Sequence, residues 1–172
     1  NSIEDVLIEV KPEVIIIATS THSHLKVIQE IQKHHNPLAI LCEKPMGGNL
    51  QQGKEIVNIC KKMGTSLYVN YVRRCLPGSK EVKNRIHNNL IKSPMKCVMW
   101  YSKGLKHNGS HFINLMEYWF GKCLHVKIIN KGREFKSFGF EPSVFLKFED
   151  CEVNLIAAWE EFYSHYTIEL VS

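Results

Sequence analysis

The sequence predicts an α/β chain in two parts, half of a doubly wound parallel sheet followed by a region of mainly antiparallel strands. Three observations predict it. Apolar runs at 14–18, 38–42 and 66–71 are separated by segments with helical spacing. Strand, helix, strand, helix, strand with short links requires successive parallel crossovers. Beyond Pro77-Gly78 the apolar residues alternate with polar ones, which fits antiparallel strands with one covered face.

Ile3, Val6, Leu7 and Val10 recur at helical intervals, with Asn1-Ser2 as the cap. Lys11-Pro12-Glu13 breaks that helix. Val14-Ile15-Ile16-Ile17-Ala18 is β-branched and apolar on both faces, the pattern of a central parallel strand. A polar turn, 19–24, leads into a second helix along Leu25, Ile28, Ile31 and Gln32, which ends near His34-His35-Asn36-Pro37. The strand at 38–42 follows. Asn49 caps a third helix over 50–63 with Ile56, Val57, Ile59 and Cys60 as its apolar face, and Gly64 stops it. A third strand covers 66–71. Pro77-Gly78 marks a boundary; a short helix over 81–90 and a strand over 95–101 come next. Residues 112–120 are apolar nearly all round, which predicts a buried helix ended by Gly121. Strands are expected at 126–128, 145–148, 153–158 and 166–171.

With 172 residues and 44% of them hydrophobic, the chain can build a substantial core. The net charge of +5 is not concentrated in any basic block, which excludes the usual nucleic-acid-binding footprint. No apolar run approaches a membrane span. The first residue is Asn1, so the true start is expected upstream or trimmed away. Six cysteines lie far apart with no C-x-x-C pair, against both a zinc site and a disulfide framework. Their apolar surroundings suit reduced, buried thiols in a cytoplasmic protein.

The stretch with most chemical promise is Leu41-Cys42-Glu43-Lys44-Pro45-Met46-Gly47-Gly48. A charged dipeptide at the carboxyl end of a buried parallel strand lies where open α/β sheets bind ligands. Pro45 restricts the backbone beside Lys44, and the glycines permit a sharp turn. Against that, a lone loop lysine is usually just solvated. His111 opens the buried helix and needs hydrogen-bond partners or a ligand; a satisfied core histidine is the plain alternative. His107 and His111 have a spacing that can hold a metal on a helix, but Gly109 argues against a continuous helix and no carboxylate completes the set, so no metal is expected. His22 and His24 in the polar turn read as solvated or capping. Arg73-Arg74 could hold an anion or form structural ion pairs.

These residues, in this order, resemble the Gfo/Idh/MocA oxidoreductases, the glucose–fructose oxidoreductase and inositol dehydrogenase relatives. The likeness rests on 15–19, the turn to His24, Glu43-Lys44-Pro45, Arg73-Arg74 with Pro77, and Gly109-Ser110-His111 through Gly121. It implies the C-terminal half of a Rossmann-type parallel sheet followed by an α+β domain with a mainly antiparallel open sheet. Residues 1–74 would form part of an NAD(P)-binding domain without its glycine-rich first half, since no G-x-G-x-x-G occurs. Residues 75–172 would form part of a substrate and oligomerisation domain. The resemblance also implies NAD or NADP as cofactor, a sugar, cyclitol or sugar-nucleotide as substrate, and a homodimer or homotetramer.

By the same resemblance, Thr19, Ser20, His24, Glu43, Lys44 and Arg73 are expected at the cofactor, and Lys44, His111 and His107 at the chemistry. The Lys44–Pro45 bond is expected to be cis, as in relatives. A neutral imidazole at His111 can take the proton from a secondary alcohol, and a fixed ammonium at Lys44 can stabilise the developing alkoxide. His107 stands where many relatives carry an aspartate, so the proton relay is expected to differ. The alternative expectation is a non-catalytic sugar-binding or assembly module of the same fold, lacking a complete cofactor site.

Overall fold

The structure, a computed structural model, describes residues 2–172; Asn1, half of the expected cap, lies outside them. The chain divides into two compact units, Asn1–Tyr71 and Val72–Ser172.

In the first unit, α1 (Ile3–Glu9) starts from a capping box. Ser2 Oγ accepts from the Asp5 amide at 3.1 Å and the Asp5 carboxylate accepts from the Ser2 amide at 2.8 Å. Then follow β1 (Val14–Ile17), α2 (His24–His34), β2 (Ala39–Cys42), α3 (Leu50–Met63) and β3 (Ser66–Val69). The three strands are parallel in the order β1-β2-β3, with Ile17, Cys42 and Val69 level at their carboxyl ends. Asn49 caps α3 by accepting from the Gln52 amide at 2.9 Å. Gly64 ends it in the left-handed conformation. The core joins Leu7, Ile17, Ile28, Ile31, Ile40, Cys42, Ile56, Ile59 and Cys60.

Among the described residues the run at 14–18 forms β1, which pairs with β2. Side chains alternate across a strand, so Ile15 and Ile17 turn to the core while Val14 and Ile16 stand largely exposed. On α3, Val57 is exposed, because Ile56, Ile59 and Cys60 already fill the i, i+3, i+4 stripe.

In the second unit, α4 (Pro77–His87) begins at the proline itself. Proline at the first helical position loses no hydrogen bond, so Pro77-Gly78 opens the helix that was expected only from residue 81. Then come β4 (Met95–Tyr101), a π-helical turn Gly104–Gly109, α5 (Ser110–Phe120), β5 (His125–Asn130), β6 (Ser143–Lys147), β7 (Cys151–Ala157) and β8 (Tyr166–Val171). The sheet order is β5-β6-β7-β4-β8. β4 and β7 run parallel and the other neighbours antiparallel. The single parallel pair follows from the path. After β4, α5 brings the chain back, and β5, β6 and β7 then alternate, so β7 points as β4 does.

Alternating residues Cys97, Met99, Tyr101, Val153, Leu155, Val144 and Leu146 bury one sheet face against Phe112, Leu115 and Met116 of α5. Trp119 ties α5 to α4 by donating to the Ser79 carbonyl at 2.8 Å. β5 departs from the expectation of a half-covered strand: as an outer strand it is exposed along its whole length.

Candidate functional site

The carboxyl edge of the parallel sheet holds the Glu43-Lys44-Pro45 turn. Strand pairing continues one step past β2, since the Glu43 amide donates to the Ile17 carbonyl at 2.9 Å. On the other side the Asn70 amide donates to the Cys42 carbonyl at 2.8 Å. The Asn70 side chain then donates to Glu43 Oε1 at 2.6 Å, a short charge-assisted bond that fixes the carboxylate. Lys44 follows, half-buried, and the Lys44–Pro45 bond is cis. The sequence reading did not find Asn70. Its signal was an amide side chain placed directly after the third strand, level with the charged dipeptide.

Under this edge lies His24, 1% exposed at the start of α2. Its Nε2 is 2.9 Å from the Thr19 carbonyl and its Nδ1 3.2 Å from the Met46 carbonyl. Cys42 Sγ stands 3.4 Å from the same Nδ1. Burial, with Cys60 and Glu43 nearby, pushes the Cys42 thiol up to about 11, so it stays protonated at neutral pH and can donate to the ring. Nε2–H donates to Thr19. A proton on Nδ1 would serve Met46, while a neutral Nδ1 accepts from Cys42. The ring is enclosed by protein and ties together the loops after β1 and β2. His22, in contrast, is exposed, as are Thr19 and Ser20. Ser20 Oγ lies 2.9 Å from Ser23 Oγ across the short 3-10 turn.

In the second unit the segment 104–111 carries the two histidine candidates, His107 and His111. Gly109 does not break the helix, contrary to expectation. The chain passes through a widened π turn straight into α5. An added Cβ at Gly109 would stand 2.7 Å from Leu105 Cδ1, so a larger residue there would have to displace the tip of that side chain. Asn108, buried, donates to the Ser102 carbonyl at 2.8 Å, and Ser110 Oγ donates to the Lys106 carbonyl at 2.7 Å. His111 is buried in the first turn of α5. His107 is exposed, with its ring 5.0 Å from that of Phe138. π turns inserted at the head of a helix are frequent at functional sites. Among the described residues no cluster of three His, Cys, Asp or Glu side chains is arranged to hold a metal.

Arg73 lies in a 3-10 turn, Val72–Cys75, of the second unit. Its guanidinium sits 3.8 Å from the centre of the Tyr166 ring, which stacks on Phe112 at 4.8 Å. Burial pushes the Tyr166 phenol up against the opposing pull of Arg73. Arg74 donates to the Asn114 carbonyl at 3.4 Å and lies over Tyr118. The arginine pair is thus engaged by aromatic rings and backbone rather than by the ion pairs weighed from sequence.

Residues 1–71 match the family model described as an oxidoreductase family with an NAD-binding Rossmann fold. The rhizopine catabolism protein MocA of Rhizobium meliloti is 26% identical over 88 residues, 50% of this chain and 27% of that protein. An inositol 2-dehydrogenase of Rubrobacter xylanophilus is 26% identical over 90 residues, 52% of this chain and 25% of its own length. Among solved structures, the WlbA dehydrogenase of Bordetella pertussis, in complex with NADH and UDP-GlcNAcA, superposes with a TM-score of 0.81 at 15% identity. That match covers 100% of this chain and 56% of the other, and at such identity it establishes the fold. The matched half of the chain thus covers about a quarter of the curated relatives' length, and the whole chain spans just over half of the solved one.

Proposed function

Because residues 1–71 belong to the Gfo/Idh/MocA family of NAD-binding oxidoreductases, we propose that the chain is the central part of an enzyme transferring hydride between NAD or NADP and a hydroxyl carbon. The substrate class we assign is a sugar, cyclitol or sugar-nucleotide, by likeness to the MocA protein, the inositol dehydrogenase and the UDP-GlcNAcA-bound structure. The observation that carries the reading is the Glu43-Lys44 dipeptide, held at the carboxyl edge of a parallel sheet by Ile17, Cys42 and Asn70.

The donor set there suits the nicotinamide-riboside end of the cofactor. Glu43 offers a fixed carboxylate to ribose hydroxyls, and Thr19 and Ser20 offer exposed hydroxyls at the neighbouring strand end. When bound, the nicotinamide supplies the two-electron acceptor or donor. Lys44 stabilises the alkoxide with its ammonium, and His111 holds or releases the hydroxyl proton at an imidazole nitrogen. His107 stands one helical step earlier as a relay. We assign residues 1–74 to the cofactor, 75–172 to substrate and assembly, and a cytoplasmic setting. The sheet face with Val98, Trp100, Phe145 and Ile156, opposite α5, would serve a homodimer or homotetramer.

The test is calorimetric titration with NADH and NADPH, then turnover against sugars, cyclitols and UDP-sugars followed by nicotinamide absorbance. Lys44→Met and His111→Asn should each lower kcat by about 10²- to 10⁴-fold. Absence of binding up to about 1 mM of either cofactor, the upper end of common KM values, would overturn the reading and leave a sugar-binding module.

A further inference from the structure

Glu141 is a fully buried carboxylate on the segment leading into β6. Burying a charge costs several kcal/mol unless both its oxygens are well served. Here Oε2 accepts from Arg133 Nε at 3.1 Å and Oε1 accepts from the Gly104 amide at 3.2 Å. Arg133 directs its other nitrogens outward, to Glu161 at 2.8 Å and to the Trp159 carbonyl at 2.6 Å. Trp159 in turn donates to the Glu141 carbonyl at 3.3 Å. The Leu105 amide donates to the Phe140 carbonyl at 2.9 Å, so two successive amides of the 104–109 turn are tied to the same strand approach. The backbones touch there: an added Cβ at Gly104 would overlap the Phe138 carbonyl oxygen.

That turn is the one that carries His107 and leads into His111. In a π turn each residue is rotated differently about the axis than in an α-helix, so the choice between the two decides where both rings point. The far end of the turn is set by Asn108 on Ser102. Its near end is set by the Gly104 amide, which meets the side-chain oxygen Oε1 of Glu141.

We propose that Glu141, held by Arg133, is a positioning residue that anchors the Gly104 amide and thereby sets the direction of the His107 and His111 imidazoles. The proposal rests on His111 being the acid–base group. The anchor itself is a matter of geometry and is tested apart from turnover.

The experiment compares Glu141→Gln, Glu141→Ala and, as a control on the exposed side of Arg133, Glu161→Gln in the full chain. Amide exchange at Gly104 and the ring nitrogen signals of His107 and His111 are read by NMR, with His22 and His24 as internal references. A neutral acceptor in place of a charged one should speed Gly104 exchange by about ten-fold and move both ring signals, while Glu161→Gln leaves them in place. In turnover, kcat should fall in Glu141→Ala with KM little changed, and Glu141→Gln should restore part of the loss. If Glu141→Ala fails to fold, Glu141→Gln decides alone, since it keeps the length and one acceptor oxygen. Gly104 exchange and ring signals identical to the parent in Glu141→Gln overturn the anchor, whatever turnover does. Moved signals with intact turnover uphold the anchor and overturn the role given to His111.

Discussion

Asn70 Nδ2 donates to Glu43 Oε1 at 2.6 Å, joining the residue after β3 to the residue after β2. The contact orients the carboxylate that precedes Lys44. Asn70→Ala removes the donor and frees the carboxylate to swing. A hydrogen bond to a charged group contributes about 1.5–3 kcal/mol when buried, less at a half-exposed position. NADH affinity should therefore fall by about five- to ten-fold, with the melting temperature nearly unchanged. Asn70→Asp, which sets two carboxylates together, should weaken binding further. Calorimetric titration checks both, and equal affinity in all three proteins would remove Glu43 from the cofactor site.

His24 acts from beneath the same edge. Its ring bridges the Thr19 and Met46 carbonyls, and His24→Ala leaves both without that partner. We expect a loss of about 2–4 kcal/mol in urea unfolding of the first unit. Amide exchange at 19–24 and 43–48 should quicken, while 104–111 stays as it was. Loss confined to global stability, without faster exchange in those loops, would show a packing role alone.

The buried thiols set an alkaline limit. Burial pushes Cys42 up to about 11, and Cys97 and Cys151 up to about 12, from an ordinary value of 9.0. Between pH 9 and those values the unfolded chain has released protons that the folded chain retains. Stability is thus fully present below the ordinary thiol value and declines above it, by about 1.4 kcal/mol per pH unit for each such thiol. Thermal melts from about pH 8 to 11, across the ordinary thiol range, should show a steepening fall, which alanine or serine at Cys97 makes shallower. In the native state at about pH 8, exposed Cys75 should react with a thiol reagent first, and Cys42, Cys60, Cys97 and Cys151 only on unfolding.

Gly104 and Gly64 separate two costs of a positive φ. Gly64 (φ +69°) has open space where a methyl would stand, so Gly64→Ala incurs only the left-handed backbone penalty, about 1 kcal/mol. Gly104 (φ +83°) has the Phe138 carbonyl in the way as well, so Gly104→Ala should cost about 3 kcal/mol or more. Denaturant unfolding of both variants measures the difference, and similar small losses would mean that the Gly104 turn yields easily.

Local order was legible because it is written in short-range chemistry. The cap at Asn49, the stop at Gly64 and the helix end at Gly121 all appear as expected, although only one face of that helix is buried. Departures occur where one residue serves two grammars. Pro77-Gly78 reads as a breaker but is also a proper helix start. Gly109 reads as a break but adopts right-handed helical angles at the end of a π turn. Arg73, weighed as an anion ligand or an ion-pair partner, stacks on Tyr166, whose position along the chain gives no hint of proximity.

The sequence by itself determined the parallel half-sheet, the alternation of the second sheet, and the charged dipeptide after β2, because periodicity and turn chemistry act over a few residues. Only the tertiary structure decided that β4 pairs in parallel with β7, and that His24 is enclosed while Asn70 meets Glu43. It also decided that Glu141 reaches the Gly104 amide. Those outcomes depend on which distant segments share a surface. A buried charge or imidazole is satisfied by whatever partner the packing brings within about 3 Å, and no local pattern encodes that partner.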